Sequence, residues 1–265
     1  MKIKVERFRS KSKYIGIMYM IGIILSSAKN VYATPSTVLW TTCTPYMQPF
    51  GVLHITYDTY FLDDYSYPII TGLTIGALPI NELQLEVGFD LLFPSQAPLL
   101  LNAKIGTPED VLFKGQPGWS FGIFNLGFEK DVNDYNILHF VVGKTMLEDW
   151  GALKYLGSIN VGAYFGLNKN LFVSSDGETN QFGIMLGWLS YPIDVPLIDK
   201  IIFLADVMTG ENVIGGGGGG LAIFFTPAIG LLTGPVFFFD KVAAGAPKGW
   251  IWTLQIDVDI DLKGQ

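Results

Sequence analysis

Along residues 53–61 the side chains alternate, with Leu53, Ile55, Tyr57 and Phe61 on one face and His54, Thr56, Asp58 and Tyr60 on the other. The same period of two returns in 82–93, where Leu83, Leu85, Val87, Phe89, Leu91 and Phe93 oppose Glu82, Gln84, Glu86, Gly88 and Asp90. In 158–167, Ile159, Val161, Ala163, Phe165 and Leu167 oppose Ser158, Asn160, Gly162, Tyr164 and Gly166. In 250–262, Trp250, Trp252, Leu254, Ile256, Val258, Ile260 and Leu262 oppose Thr253, Gln255, Asp257, Asp259 and Asp261. Successive side chains of a strand point to opposite sides, whereas a helix repeats every 3.6 residues. Each segment therefore predicts a β-strand with one apolar and one polar face.

Weaker segments fit the same pattern at 69–77, 98–106, 118–129, 136–146, 181–190, 199–209, 216–225 and 229–240. Turn formers stand between the segments, among them Asp63-Asp64, Leu78-Pro79, Asp176-Gly177, Thr226-Pro227 and Pro247-Lys248-Gly249. The pattern predicts about twelve strands, with ten as the alternative. In 118–129 the apolar face changes after Ile123, as at a bulge. Residues 221–239 carry no charge and are long enough for a membrane helix. Pro227, Gly230, Gly234 and Pro235 favour a hairpin there instead. The six glycines 215–220 predict a loop entering a strand; the alternative is a strand wall on which something bulky packs. Residues 148–156 suit a turn or two of helix in a connection.

The alternating runs exceed the five or six residues common in soluble sheets and match the 9–11 of a membrane-spanning strand. Aromatics gather near the expected strand ends: Tyr57, Tyr60, Phe61, Tyr65 and Tyr67, then Trp119, Trp188, Tyr191, Trp250 and Trp252. The expectation is an all-β, transmembrane, antiparallel up-and-down barrel, its apolar faces in lipid, rather than a soluble sandwich.

Residues 1–33 read as a cleaved signal peptide. Lys2, Lys4, Arg7, Arg9, Lys11 and Lys13 precede an uncharged apolar run, 14–25, and Val31-Tyr32-Ala33 supplies a cleavage site before Thr34. The expected division is leader 1–33, a periplasmic segment 34–48, and an outer-membrane barrel 49–265. Removing the leader's seven basic and one acidic residues from the chain's 17 and 24 leaves ten and 23, a net charge of −13 with no Arg. That balance excludes nucleic-acid binding and phosphate capture by an Arg cluster. A single Cys excludes a disulfide framework, and two His leave little for a metal centre. Cys43 stands ten residues past the cleavage point, too far for lipidation, and reads as an inert thiol.

No nucleophile elbow, zincin, Walker or CxxC motif is present. His54 and Asp58 lie about 13 Å apart along one strand and form no dyad by themselves. His139, beside an apolar run, reads as structural or interfacial. A membrane-embedded hydrolase is the remote enzymatic alternative; no catalytic residue, metal ligand or cofactor is assigned. The polar faces place Asp58, Glu82, Glu86, Asp90, Lys104 and His54 along a lumen, with Asp257, Asp259 and Asp261 as a possible cation site. The inward Gly88, Gly162, Gly166, Gly183 and Gly187 suggest open space, and Tyr60 and Tyr164 would narrow it.

The leader, the alternating strands, the final strand Trp250 to Leu262, the stretch Ala205-Asp206 through Phe225-Thr226-Pro227, and Gly234-Pro235-Val236-Phe237-Phe238 resemble small bacterial outer-membrane barrels of the porin-like type. Such barrels often end on an aromatic, whereas this chain ends Leu262-Lys263-Gly264-Gln265, a departure that bears on the assembly route. The resemblance implies lipid as a partner and passive passage of small solutes, cationic or neutral given the acidic lumen. The alternative is a plugged, non-conducting structural or binding barrel. The oligomeric state stays open.

Overall fold

The computed structural model describes residues 36–62, 67–146 and 148–263. The expected leader, 1–33, lies outside the described residues. Twelve strands follow one another: β1 (Val52–Phe61), β2 (Ile69–Gly76), β3 (Gln84–Phe93), β4 (Leu99–Thr107), β5 (Gly118–Leu126) and β6 (Ile137–Thr145). A short 3-10 helix, Glu148–Leu156, leads to β7 (Ser158–Gly166), β8 (Phe182–Leu189), β9 (Lys200–Met208), β10 (Gly216–Thr226), β11 (Ile229–Phe238) and β12 (Trp250–Asp261). Each strand pairs antiparallel with the next, and β12 returns to β1 from Val52↔Asp261 to Phe61↔Trp252, closing the barrel. Closure matters because it leaves no strand edge unpaired. β1 begins and β12 ends at one rim, called here the near rim.

The period of two becomes the two surfaces of the wall. In β8, Phe182, Ile184, Leu186 and Trp188 face outward and are exposed, while Gly183, Met185, Gly187 and Leu189 face inward and are buried. The exposed outer surface continues through Phe121, Phe140, Val161, Phe165, Phe203 and Ile256. Aromatics collect at both rims of it. Trp188 and Tyr155 lie by the near rim, where the Trp188 Nε1 donates to Leu156 O at 2.7 Å. Phe61, Tyr67, Trp250 and Trp252 lie by the far rim.

The expected face change in 118–129 is a bulge in β5. Ala103 pairs with Ile123 but Leu101 pairs with Leu126, and Asn125 between them takes φ +51°. Residues 221–239 form the β10–β11 hairpin about Pro227-Ala228. The polyglycine run is strand and not loop: Gly216–Gly220 belong to β10, with only Gly215 outside it. Here the packing partner exists, since a Cβ at Gly218 would stand 2.9 Å from Leu39.

That partner is the largest departure from expectation. The segment read as periplasmic, 34–48, instead runs through the barrel interior over its described part, 36–48. Val38, Cys43, Thr44 and Gln48 have no exposed surface. Val38 and Leu39 pack with the inward Leu204, Leu232, Val236 and Ile251, and Cys43 packs with Val141, Met185 and Met208. Apolar side chains on the inner wall require a cover, and this segment carries the apolar residues that supply it. The inward glycines correspondingly leave little open space. Gly187 meets the Cys43 carbonyl, Gly166 the Phe172 ring, and Gly183 the Tyr164 ring.

Candidate functional site: the lumenal cavity

Between the inner segment and the β1–β6 part of the wall a cavity of about 220 Å³ remains. The barrel register decides what faces it. His54 stands directly beside Asp259 across the β1–β12 closure, and Asp257, Thr56, Gly72 and Asp90 form a row across β12, β1, β2 and β3. His54 Nδ1 lies 2.5 Å from Asp259 Oδ1, and Nε2 lies 3.7 Å from Asp257 Oδ1. Gly72 is required in that row: a Cβ there would lie 2.1 Å from Asp90 Oδ1 and 2.7 Å from Thr56 Oγ1. Asn102 Nδ2 donates to Asp90 Oδ2 at 2.6 Å.

The inner segment is held by wall side chains. Asp206 Oδ2 accepts the backbone N–H groups of Leu39, Trp40 and Thr41 at 3.1, 2.8 and 2.6 Å. Glu86 Oε2 accepts the Gln48 N–H at 2.7 Å, and Lys104 Nζ donates to the Ser36 carbonyl at 3.0 Å. Gln255 Nε2 donates to the Leu39 carbonyl at 2.6 Å. Trp40 donates from Nε1 to Ile214 O at 2.8 Å and packs edge-on against Tyr60 and Phe238. Toward the near rim the Tyr46 hydroxyl donates to Glu109 Oε1 at 2.8 Å and meets the Thr145 and Ser158 hydroxyls at 2.7 and 2.9 Å. An irregular chain has no ladder of its own, so buried N–H and C=O groups need such partners.

Burial pushes the Cys43 thiol up to about 12, with the Asp206 charge adding to it, which agrees with an inert thiol. Burial and then Glu109 push the Tyr46 hydroxyl up to about 12. At the far rim Asp240 accepts the N–H groups of Ser175, Val242 and Ala243 at 2.6, 3.0 and 3.0 Å. Those bonds, Ala243's foremost, hold its carboxyl down at about 2.

Of the residues expected in the lumen, His54, Asp58, Glu86, Asp90 and Lys104 do line the cavity, together with Asp257. Glu82 does not. It is exposed in the β2–β3 turn, because β3 begins only at Gln84. Nor are Asp257, Asp259 and Asp261 gathered into one cation site. The first two flank His54, whose imidazole occupies that position, while Asp261 sits at the near rim and accepts the Lys263 N–H at 2.9 Å. Among the described residues no group of three or more His, Cys, Asp or Glu side chains could hold a metal ion. Asp206, Trp40 and His139 were not singled out as lumenal. The inward parity of Asp206 and His139 was readable from their strands; the position of Trp40 was not.

No family model matches the chain, and no curated protein does. Among solved structures, the NanC porin is similar at 11% identity, with 79% of this chain and all of that one covered and a TM-score of 0.48. An outer-membrane channel from Pseudomonas putida F1 is similar at 12% identity, with 81% and 96% covered and a TM-score of 0.45. A mutant porin of Rh. blastica is similar at 9% identity, with 73% and 55% covered and a TM-score of 0.38. The chain's own architecture is twelve antiparallel strands in chain order closed by β1 and β12, an up-and-down barrel.

Proposed function

We propose that the barrel spans a bacterial outer membrane and gives restricted passage to small cationic or neutral solutes, the inner segment 36–48 setting the restriction. The observation that carries this reading is the inverted distribution of polarity. The outer surface exposes Phe121, Phe140, Phe165, Phe203 and Ile256, whereas the inner surface holds Asp58, Glu86, Asp90, Lys104, Asp257 and Gln255. A soluble barrel keeps its charged groups outside; an exposed apolar band around an interior that carries buried charged groups, here along β1, β3, β4 and β12, is the membrane arrangement. Carboxylates outnumber the basic groups along the cavity, which favours cations over anions.

A second reading is favoured by the depth of the inner segment: a barrel that stays plugged and serves a structural or binding role. Single-channel recording in planar bilayers separates the two. Passage predicts discrete conductance steps with a reversal potential favouring K⁺ under a KCl gradient. Absence of any step from folded, inserted protein would reject passage and leave the plugged barrel. Recovery of the folded protein from a soluble periplasmic fraction would reject both.

A further inference from the structure

We propose that the lumenal cavity is a binding site for a small zwitterion, its ammonium group held by Asp58 and Asp90 and its carboxylate by His139 and Lys104. The inference deepens the passage reading by naming a solute class, but binding is measured without conductance, so either can fail alone.

The first observation is His139. It points inward from β6, is 4% exposed, and lines the cavity. Neither ring nitrogen has a hydrogen-bond partner among the described residues. A neutral imidazole carries one donor and one acceptor, and burying both unsatisfied is unfavourable, so the ring is built to meet something in the cavity. Its neighbour in the register is informative. Gly122 lies between Lys104 and His139 in one row across β4, β5 and β6, and a Cβ there would stand 2.6 Å from His139 Cε1. The missing side chain lets the two basic groups share one side of the cavity. Lys104 spends one N–H on the Ser36 carbonyl, and an ammonium has three.

The second observation is on the β1–β3 side. Asp58 lines the cavity and accepts no hydrogen bond among the described residues, unlike Glu86, Asp90 and Asp259, which are each engaged. Asp90 Oδ1 projects over Gly72, beside Thr56. Apart from His54, which Asp257 and Asp259 engage, the charged groups on the β1–β3 arc are acceptors and those on the β4–β6 arc are donors, and the apolar Phe124 and Ile214 also line the cavity. A cavity of about 220 Å³ is smaller than the ~300–1,000 Å³ pockets of drug-sized ligands, which limits the occupant to a short molecule with charge at both ends and a hydrocarbon spacer.

The test is calorimetric titration of the full folded barrel in detergent with 4-aminobutanoate and, as its two halves, butylamine and butanoate. The wild type should bind the zwitterion at least tenfold more tightly than either half. Asp58→Asn should weaken 4-aminobutanoate and butylamine at least tenfold and leave butanoate unchanged; His139→Gln should do the reverse for the two halves. Because a lumenal variant can misfold, heat-modifiable gel migration checks each one. The His139 ring resonances of ¹⁵N-labelled wild type supply a readout that needs no variant and should shift with 4-aminobutanoate. No binding of any probe would overturn the proposal, as would unshifted His139 resonances at saturation. Butylamine binding as tightly as the zwitterion, unaffected by His139→Gln, would reduce the site to a cation site and overturn it too.

Discussion

Replacing Asp206 with alanine should let the inner segment leave the wall more often without opening the barrel. Its Oδ2 accepts three N–H groups, from Leu39 at 3.1 Å, Trp40 at 2.8 Å and Thr41 at 2.6 Å. A hydrogen bond to a charged group contributes about 1.5–3 kcal/mol, and three donors sharing one oxygen contribute less than three times that, so roughly 3–4 kcal/mol is at stake. The Gln255 and Trp40 bonds and the packing of Val38 remain, so the segment keeps its place most of the time. At about 1.4 kcal/mol per tenfold, the open population should rise roughly 10²- to 10³-fold. Cys43, the only cysteine, reports on this. In place it is buried, and its thiol, pushed up to about 12, is almost wholly protonated near pH 8. Labelling by a maleimide must therefore pass through opening, after which the thiol regains its ordinary reactivity. The labelling rate of folded Asp206→Ala should exceed that of wild type by the same roughly 10²- to 10³-fold factor, with Asp206→Asn between them because it keeps one acceptor oxygen. Equal rates in folded wild type and Asp206→Ala would refute the anchoring role. Fast labelling of wild type would refute the buried position of the segment itself.

Three further outcomes follow from the same geometry. Val161→Arg, on the exposed outer face at the middle of β7, should cost about 2–4 kcal/mol in bilayer unfolding experiments if that face meets lipid, whereas a loss below about 1 kcal/mol would place it elsewhere. Asp58→Asn combined with Asp90→Asn should remove most of the K⁺ preference in reversal-potential measurements, while Glu82→Gln, exposed in its turn, should leave it unchanged; the opposite ranking would reject the lumenal assignment. Asp240, held at about 2 against an ordinary carboxyl near 3.9, contributes its clasp of Ser175, Val242 and Ala243 in full above about pH 4 and loses it as the pH falls toward 2. Amide exchange at Ser175 and Ala243 should accelerate over that window relative to other far-rim amides, and Asp240→Asn should abolish the pH dependence.

The strands were legible where one face is apolar and the other polar. β1, β3, β7 and β12 alternate cleanly because the wall has two unlike sides, and the β5 bulge was visible because a slip in the ladder shifts the apolar parity after Ile123. The closing register was not legible, since nothing local ties β1 to β12. It is this register that converts His54 from a lone histidine, too far from Asp58, into the neighbour of Asp259 and Asp257. The position of Glu82 failed for a smaller reason: period continues through a turn on paper, while pairing of β3 stops at Gln84.

The inner segment was the largest omission, and its trace lies in the wall rather than in itself. Residues 36–48 have no period because an irregular chain fitted into a lumen needs none. Inward glycines are ambiguous, since the same absence of a side chain leaves either open space or room for another backbone. The apolar inward residues are not ambiguous. The segments that became β9, β10 and β11 alternated weakly because both of their faces are greasy: Leu204, Ala222, Phe224, Leu232 and Val236 point inward, opposite Phe203, Ile223, Phe225, Leu231 and Phe237. Water filling the lumen beside five such side chains would leave them as exposed as the outer face. All five are instead at most 3% exposed, and Val38 and Leu39 belong to the same cluster. Weak alternation in a barrel wall, with glycine beside it, thus marks the arc of the lumen that another part of the chain covers. Of the strongly alternating strands, β1, β3 and β12 border the polar cavity, and β7 does not.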